Sequence, residues 1–308
     1  MKYIITGGAG FIGSHIAKEL ALRGEEVVVV DNLFTGKISN LAYFKLTFIE
    51  ADIRDLKTLI GIFKGADYVL HQAALRSVPK SLENPQDYHD VNINGHLNVL
   101  MAAKLNRVKC VVSASSSSVL GDITKLPIKE DSYPNPISPY AISKLAGEQY
   151  NKMYSKIYGL NTVSLRYFNV FGPNQAIDSK YAVVIPKFIQ CILNSESPPV
   201  FGDGLQTRDF TYVSNVVEAN LLACKKELHG EVINIANGQR ITILQLIEKI
   251  NERLHKNIKP RFLHKRLGDI LHTQADNTRA KELLGYQERD NFDEGLNKTI
   301  DWFKDNLA

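Results

Sequence analysis

The sequence predicts an α/β protein: a doubly wound parallel sheet (Rossmann-like) with a smaller mixed α/β C-terminal lobe. Three observations carry this. Short, continuous Val/Ile/Leu runs alternate with segments of helical periodicity through the first half of the chain, the pattern of strands buried on both faces. A glycine-rich turn, GGAGFIG at 7–13, stands between the first such run and the first helical segment. The second run ends in Asp31, 21 residues after Gly10, the spacing of a dinucleotide-binding βαβ unit.

The elements follow in order. KYIIT (2–6) reads as a buried strand, FIGSHIAKELALR (11–23) as a helix and EEVVVVD (25–31) as the second strand. LTFIEADI (46–53) is a strand, DLKTLIGIFKG (55–65) a helix ended by Gly65, and DYVLHQA (67–73) a strand. Residues 88–106 read as one long helix, KCVVSASS (109–116) as a strand, and a helix beginning near Tyr140 leads to the strand NTVSLRYFN (161–169). In the second half, a helical stretch at 183–194 precedes a Pro/Gly-rich segment at 195–210, and EVINIA (231–236) has the look of another core strand. TILQLIEKINERLHK (242–256) is amphipathic with Thr242 as its N-cap, and 277–284 and 293–307 are helical. The reading is a dinucleotide-binding domain over 1–168 and a second lobe over 169–308, with segments near 211–238 returning to the first.

At 308 residues the chain is long enough for one large domain or two. A hydrophobic content of 44% and a charged content of 23% are globular values, and the net charge of +4 is spread without a basic block. Nucleic-acid and membrane-surface binding therefore get no support. The three cysteines lie far apart without C-x-x-C spacing, and the eight histidines form no ligand-spaced cluster. That predicts reduced thiols, a cytoplasmic setting and no metal site. No apolar run reaches a membrane span's length, and the N-terminus has no signal-peptide pattern.

Glycines at 7, 8, 10 and 13 leave side-chain-free positions where backbone can approach a pyrophosphate, with the next helix's N-terminus aimed at the anion. Asp31 suits a ribose 2′-hydroxyl and would repel a 2′-phosphate, so NAD is expected over NADP. Asp52 and Ile53, after the third strand, suit an adenine amine and ring. At the carboxyl edge of the sheet the 109–116 strand runs into Ser115-Ser116-Ser117-Ser118, and Tyr140 lies 24 residues beyond Ser116. Tyr140 and Lys144 are one helical turn apart on one face. A tyrosine's ordinary pKa near 10 is too high for a base at neutral pH. The Lys144 ammonium and an oxidised nicotinamide would favour its ionised form. Ser116 would hydrogen-bond the reacting hydroxyl.

GGAGFIG, Asp31-Asn32, ADIRD (51–55), HQAA (71–74), SASSSSV, SPYAISK (138–144) and SLRYFNVFGP (164–173) together resemble the extended short-chain dehydrogenase/reductases over nearly the full length. Within them the chain is similar to the nucleotide-sugar 4-epimerases, through HQAALRSVPKSLENP (71–85) and YAVVIPKFI…FGDGLQTRDFTYV (181–213). The resemblance implies a catalytic Ser116, Tyr140 and Lys144. It implies NAD contacts from Gly7, Gly10, Phe11, Ile12, Gly13, Asp31, Asn32, Asp52, Ile53, Gln72, Ala73, Ala74, Arg76, Ser115, Tyr140, Lys144 and Tyr167. Asn92 either positions the nicotinamide end or packs a helix. Substrate contacts are implied for Ser77, Ser116, Ser117, Ser118, Tyr140, Asn169, the backbone of Val184 and Ile185 against uracil, and Arg208, Arg266 and Asp269 on phosphates and ribose. Thr273 falls at a pocket wall facing the sugar's 2-substituent, where a small residue admits an N-acetyl group. Leu120 departs from the aromatic residue common there, which predicts altered affinity with the chemistry retained. A homodimer formed through the 88–106 and 139–158 helices is also implied.

The resembling enzymes share an oxidation at C4 of the sugar. Dehydratases and decarboxylases then need a carboxylate beside the serine, and this chain has Ser117-Ser118 there. The implied reaction is therefore 4-epimerisation of a UDP-hexose or UDP-N-acetylhexosamine through a 4-keto sugar, with NAD regenerated each turn. Two alternatives stand beside it: a UDP-glucuronate 4-epimerase or decarboxylase, and a non-catalytic NAD-binding sensor or scaffold.

Overall fold

The computed structural model describes residues 1–308 apart from 43, 124, 178–183, 266–270 and 308. Seven parallel strands form one sheet: β1 (Lys2–Thr6), β2 (Glu26–Asp31), β3 (Thr47–Glu50), β4 (Tyr68–His71), β5 (Cys110–Ser116), β6 (Thr162–Tyr167) and β7 (Glu231–Ile235). Their spatial order is β7-β6-β5-β4-β1-β2-β3. Chain direction across the sheet reverses between β1 and β4, where Thr6 pairs with His71. In open α/β sheets that reversal leaves a crevice at the carboxyl ends of the strands.

Alternation along the strands sends neighbours to opposite faces. Ile5, Val29 and Leu70 meet α1 (Phe11–Leu22) and α6 (Val213–Cys224) in one cluster, through Ile16, Leu20, Val216 and Leu221. Ile4, Val28 and Val69 meet α2 (Leu56–Ile62), α3 (Gly95–Leu105) and α4 (Pro139–Tyr158) in the other, through Leu59, Val99, Leu100 and Tyr154. A separate apolar cluster joins α5 (Val184–Leu193), α7 (Ile243–Leu254) and α8 (Phe292–Leu307) around Phe171, Phe210 and Phe292. The chain returns from this second lobe: α6 packs on the sheet and β7 pairs in parallel with β6 from Glu231↔Val163 to Ile235↔Tyr167.

Local chemistry sets the helix ends. Asp55 caps α2 by accepting from Thr58 N at 3.1 Å. Thr242 and Gln245 form a reciprocal capping box on α7. Ser138 caps α4 by accepting from Ala141 N at 3.2 Å, Pro139 occupies the first turn, and Gly159 ends the helix at φ 68°. Ser138 and Pro139, which start α4, therefore fix where Tyr140 leaves the helix.

The predicted helix over 88–106 is interrupted. A helix over Pro85–His89 passes through a π-turn at Asp90–Asn94 before α3 begins at Gly95. Two contacts explain the irregularity. A Cβ at position 95 would lie 2.6 Å from Ile53 Cδ1, so Gly95 admits close packing. The wide turn also aims Asn92 at Leu75, whose N–H donates to Asn92 Oδ1 at 2.8 Å while Asn92 Nδ2 donates to Leu75 O at 2.9 Å. Residues 277–284 likewise end in a π-turn, at Ala280–Leu284.

One ion pair fastens α4 to the sheet. Arg166 on β6 donates to Glu148 on α4 through Nε to Oε1 and Nη2 to Oε2, both at 2.8 Å, and the two side chains are 3% and 1% exposed. Arg166→Leu leaves the Glu148 carboxylate buried without its cation. Urea unfolding should show a loss of about 3–5 kcal/mol. A loss below about 1 kcal/mol, the range of an exposed pair, would show that the pair does not hold α4 in place.

Candidate functional site

The glycine turn is built around contacts that leave no room for side chains. Gly7 has φ 69°, and a Cβ there would stand 2.5 Å from Ala73 N, across the switch point. A Cβ on Gly13 would stand 2.2 Å from Gly7 O. Gly10 precedes α1 as its N-cap, so the first N–H groups of that helix, at Phe11, Ile12 and Gly13, face the crevice end. Asp31, 8% exposed at the end of β2, accepts from Ala9 N at 3.0 Å and Leu33 N at 2.8 Å. Burial raises its pKa, and these two amides oppose that rise. The acid thus braces the turn from below.

Beside it, Asn32 Nδ2 donates to Asp52 Oδ2 at 2.9 Å. Arg54 grips Asp52 at 2.8 Å, and its hydrogen bond is the main reason the Asp52 carboxyl falls to about 2. The structure therefore brings Asn32 and Asp52 together, with Asp52 charged. Ile53 is 5% exposed and packs inward against Gly95 and Leu59, which differs from a side chain presented to an adenine face.

At the other end of the crevice Ser116, Tyr140 and Lys144 converge. The Tyr140 hydroxyl is turned toward the Ser116 hydroxyl, which favours its ionised form. Ser116 Oγ also donates to Ser118 Oγ and accepts from Ser118 N, both at 3.1 Å, while Ser117 begins the short 3-10 turn. Lys144 Nζ lies 5.9 Å from the Tyr140 ring centre and donates to Ala114 O at 2.9 Å. Burial depresses the Lys144 ammonium to about 8 and raises the Tyr140 phenol, with the Ser116 hydroxyl and the charge of Arg76 acting the other way on Tyr140. Below Lys144 a small polar cavity is bounded by Ala73, Ala74, Asn92, His96, Ser113 and Glu148 among others. Asn92 reaches Ser143 of α4 at 3.0 Å as well as Leu75, and so links the loop before Arg76 to α4.

Other expected residues face elsewhere. Ser115 Oγ donates to Glu148 Oε1 at 2.6 Å, into the wall under the crevice. Gln72 and Tyr167 share a buried network with Asn220 of α6, and burial pushes the Tyr167 hydroxyl up to about 12. Leu120 is 1% exposed in a cluster with Val119, Ile128 and Phe168, so the departure from an aromatic residue is taken up by core packing.

On the second lobe's side, Asn169, Arg208 and Thr273 come together. Asn169, at φ 36°, donates through Nδ2 to Asp209 O at 3.0 Å and Thr273 Oγ1 at 3.4 Å. Arg208 Nη1 donates to Thr207 O at 2.9 Å and Leu271 O at 3.3 Å. Ser77 caps the helix Val78–Glu83 and donates its N–H to Tyr88 Oη at 3.0 Å. Val184 opens α5, and the Ile185 side chain is wholly buried in the lobe's core, leaving its backbone as the available surface. Arg266 and Asp269 lie outside the described residues.

Sequence reasoning missed Tyr88 and Asp209. The Tyr88 ring stands edge-on to Tyr140 at 6.4 Å, and its hydroxyl holds the Ser77 backbone. Asp209 is fully buried and accepts from three backbone amides. An acid following an arginine in a polar loop gives no sign of burial, whereas Tyr88 opens the segment predicted as helix and could have been weighed there.

The arrangement fits a dinucleotide on the observations that a Cβ would fill the cradle at Gly7 and Gly13 and that a buried acid closes its ribose end. Gly13→Ala forces a methyl into the Gly7 carbonyl. The purified variant should carry little or no NAD by absorbance after denaturation, while its circular dichroism stays near wild type. A full complement of NAD would show that the turn is not the pyrophosphate site.

The family model for the NAD dependent epimerase/dehydratase family matches residues 3–236. A solved UDP-N-acetylglucosamine 4-epimerase from Methanobrevibacter ruminantium M1, in complex with UDP-N-acetylmuramic acid, is 43% identical, with a TM-score of 0.95 over 99% of this chain and 98% of that one. A UDP-glucose 4-epimerase from Thermotoga maritima, solved with UDP-glucose, is 38% identical, with a TM-score of 0.96 over 100% of both chains. A UDP-glucuronate 4-epimerase of Thermodesulfobacterium geofontis is 36% identical over 99% of this chain and 97% of its own. With the crevice, the glycine cradle and the Ser-Tyr-Lys cluster in place, the chain belongs to the NAD dependent epimerase/dehydratase family.

Proposed function

We propose that this protein is a UDP-sugar 4-epimerase that retains NAD through each turnover, acting on UDP-hexoses, UDP-N-acetylhexosamines or both. The observation that carries the reading is the convergence of Tyr140, Ser116 and Lys144 at the carboxyl edge of the sheet, with Lys144 Nζ 5.9 Å from the Tyr140 ring centre and the residues after Ser116 supplying only hydroxyls. The acid in the adjacent wall, Glu148, has both oxygens engaged, Oε1 by Arg166 Nε and Ser115 and Oε2 by Arg166 Nη2. It is unsuited to abstract a carbon-bound proton or protonate a leaving hydroxyl, steps that elimination requires.

In this reading Tyr140, as phenolate, takes the proton of the sugar 4-hydroxyl, and Ser116 orients that hydroxyl. Bound NAD supplies a cationic ring able to take up and give back the C4 hydride. Burial disfavours the phenolate and the charge of Arg76 opposes that; in this reading Lys144, 5.9 Å from the ring centre, and an oxidised nicotinamide add the positive charge that favours the ionised base, and Lys144 holds the nicotinamide ribose. Rotation of the 4-keto sugar presents its other face, and Tyr140 returns the proton to the new hydroxyl. Glycines 7, 10 and 13, Asp31 and Asp52 bind the dinucleotide. Asn169, Arg208, Arg266, Asp269 and the backbone at 184–185 bind the UDP-sugar, with Thr273 at the pocket wall. Homodimer formation belongs to the same reading, supported by exposed Leu105, Ile142, Ile157 and Tyr158 on α3 and α4. So does a cytoplasmic setting, supported by three buried, unpaired cysteines.

Incubation with UDP-Glc, UDP-GlcNAc and UDP-glucuronate without added cofactor, followed by NMR, tests the reaction. Formation of UDP-GalNAc or UDP-Gal is expected, and Thr273→Tyr should suppress turnover of the N-acetylated pair more strongly than that of the hexose pair. Exclusive turnover or decarboxylation of UDP-glucuronate would replace this substrate class with the uronate reading. The pH profile gives a second check. With the Lys144 ammonium depressed to about 8, its charge is lost as pH rises through that value, so kcat/KM should fall on the alkaline side. A kcat/KM that keeps climbing through pH 9, well above that value, would remove Lys144 from the proposed role.

A further inference from the structure

Asp209 spends every polar atom it has inside the protein. Its side chain is 0% exposed. Oδ1 accepts from Asn237 N at 3.1 Å, and Oδ2 accepts from Gly238 N at 3.1 Å and Ala275 N at 2.9 Å. Its own N–H donates to Thr273 Oγ1 at 3.2 Å, and its carbonyl accepts from Asn169 Nδ2 at 3.0 Å. Its chain neighbour is Arg208. One buried residue thus joins the segment after β6, the 207–209 segment, the turn after β7 and the 273–275 segment.

We propose that Asp209 is a positioning residue for the UDP-sugar, holding Asn169, Arg208 and Thr273 in register without touching the ligand. The inference rests on the substrate side assigned above. Its physical basis is that a buried carboxylate satisfied by three amides fixes the relative positions of all three donor segments. Two consequences follow for the ligand. Both hydrogens of the Asn169 amide are committed to Asp209 O and Thr273 Oγ1, so Asn169 presents its oxygen, an acceptor suited to a sugar hydroxyl rather than to a phosphate. The Thr273 oxygen accepts from both Asp209 N–H and Asn169 Nδ2, so Thr273 faces a ligand with its methyl group and the hydrogen of its hydroxyl, a donor only.

Asp209→Asn keeps the shape and puts an NH2 against at least one backbone N–H. The test measures UDP binding by calorimetry, KM and kcat on whichever UDP-sugar the wild type converts, and bound NAD. We expect UDP affinity to fall and KM to rise by about tenfold or more, with kcat and NAD content near wild type. Unchanged UDP affinity and KM overturn the proposal. So does a parallel loss of kcat, NAD and melting temperature, which is the signature of a merely structural residue. If Asp209→Asn does not fold, Thr273→Val removes the hydroxyl that accepts from Asp209 N–H at the same volume. A raised KM with steady kcat supports the positioning role and an unchanged KM overturns it. A wild type that converts no UDP-sugar removes the proposed function, and UDP calorimetry on wild type and variant, which needs no turnover, still decides the positioning role.

Discussion

The rigid contact on which the reactive geometry depends is the buried Glu148–Arg166 pair. It joins the middle of α4 to β6, and through Ser115 it joins both to the end of β5. Arg166 also donates to Glu130 O at 3.2 Å, and Glu130 accepts from Asn234 N on β7 at 2.9 Å. Three strands, one helix and the loop leading to Ser138 are thereby tied at one place. Tyr140 and Lys144 lie on the same helix face, two turns and one turn before Glu148. Their distance from Ser116 is consequently set by charge-assisted bonds in a dry interior rather than by the loop that connects them. Such a pair gains little net stability over apolar packing, so its value here lies in fixing orientation.

The reactive residues sit above this anchor under opposing demands. In the proposed reaction Lys144 has to stay cationic in a buried setting that favours its neutral form, and Tyr140 has to ionise where burial favours the phenol. The charge of Arg76 eases the ionisation of Tyr140. Neither state is comfortable alone, which is why the pair is informative only together with the crevice above it.

Much of this was legible in the chain itself. Parallel strands announced themselves through unbroken apolar runs such as the Val27–Val30 stretch, and the Tyr140–Lys144 spacing followed from helical geometry. The Gly7–Gly13 turn was recognisable because its requirement is local: backbone must pass backbone. What stayed hidden depends on contacts between distant segments. Ser115 looks like its neighbours until Glu148, 33 residues on, takes its hydroxyl. Asp209 looks like a loop acid until Asn237 and Ala275, 28 and 66 residues away, converge on it. The inward turn of Ile53 has room only because residue 95 is a glycine, and no periodicity within 46–53 encodes it.

The π-turn at Asp90–Asn94 has a consequence for how this chain tolerates change in length. A wide turn accommodates one residue more than a regular helical ladder would. Deleting a single residue there would let Pro85–Leu105 wind as an uninterrupted helix with better backbone bonding. The same deletion would swing the Asn92 amide about 100° around the axis, away from Leu75 and Ser143. The segment is therefore a place where better helical bonding and the buried bonds of Asn92 oppose each other, and where the surplus residue is what lets Asn92 reach Leu75 and Ser143.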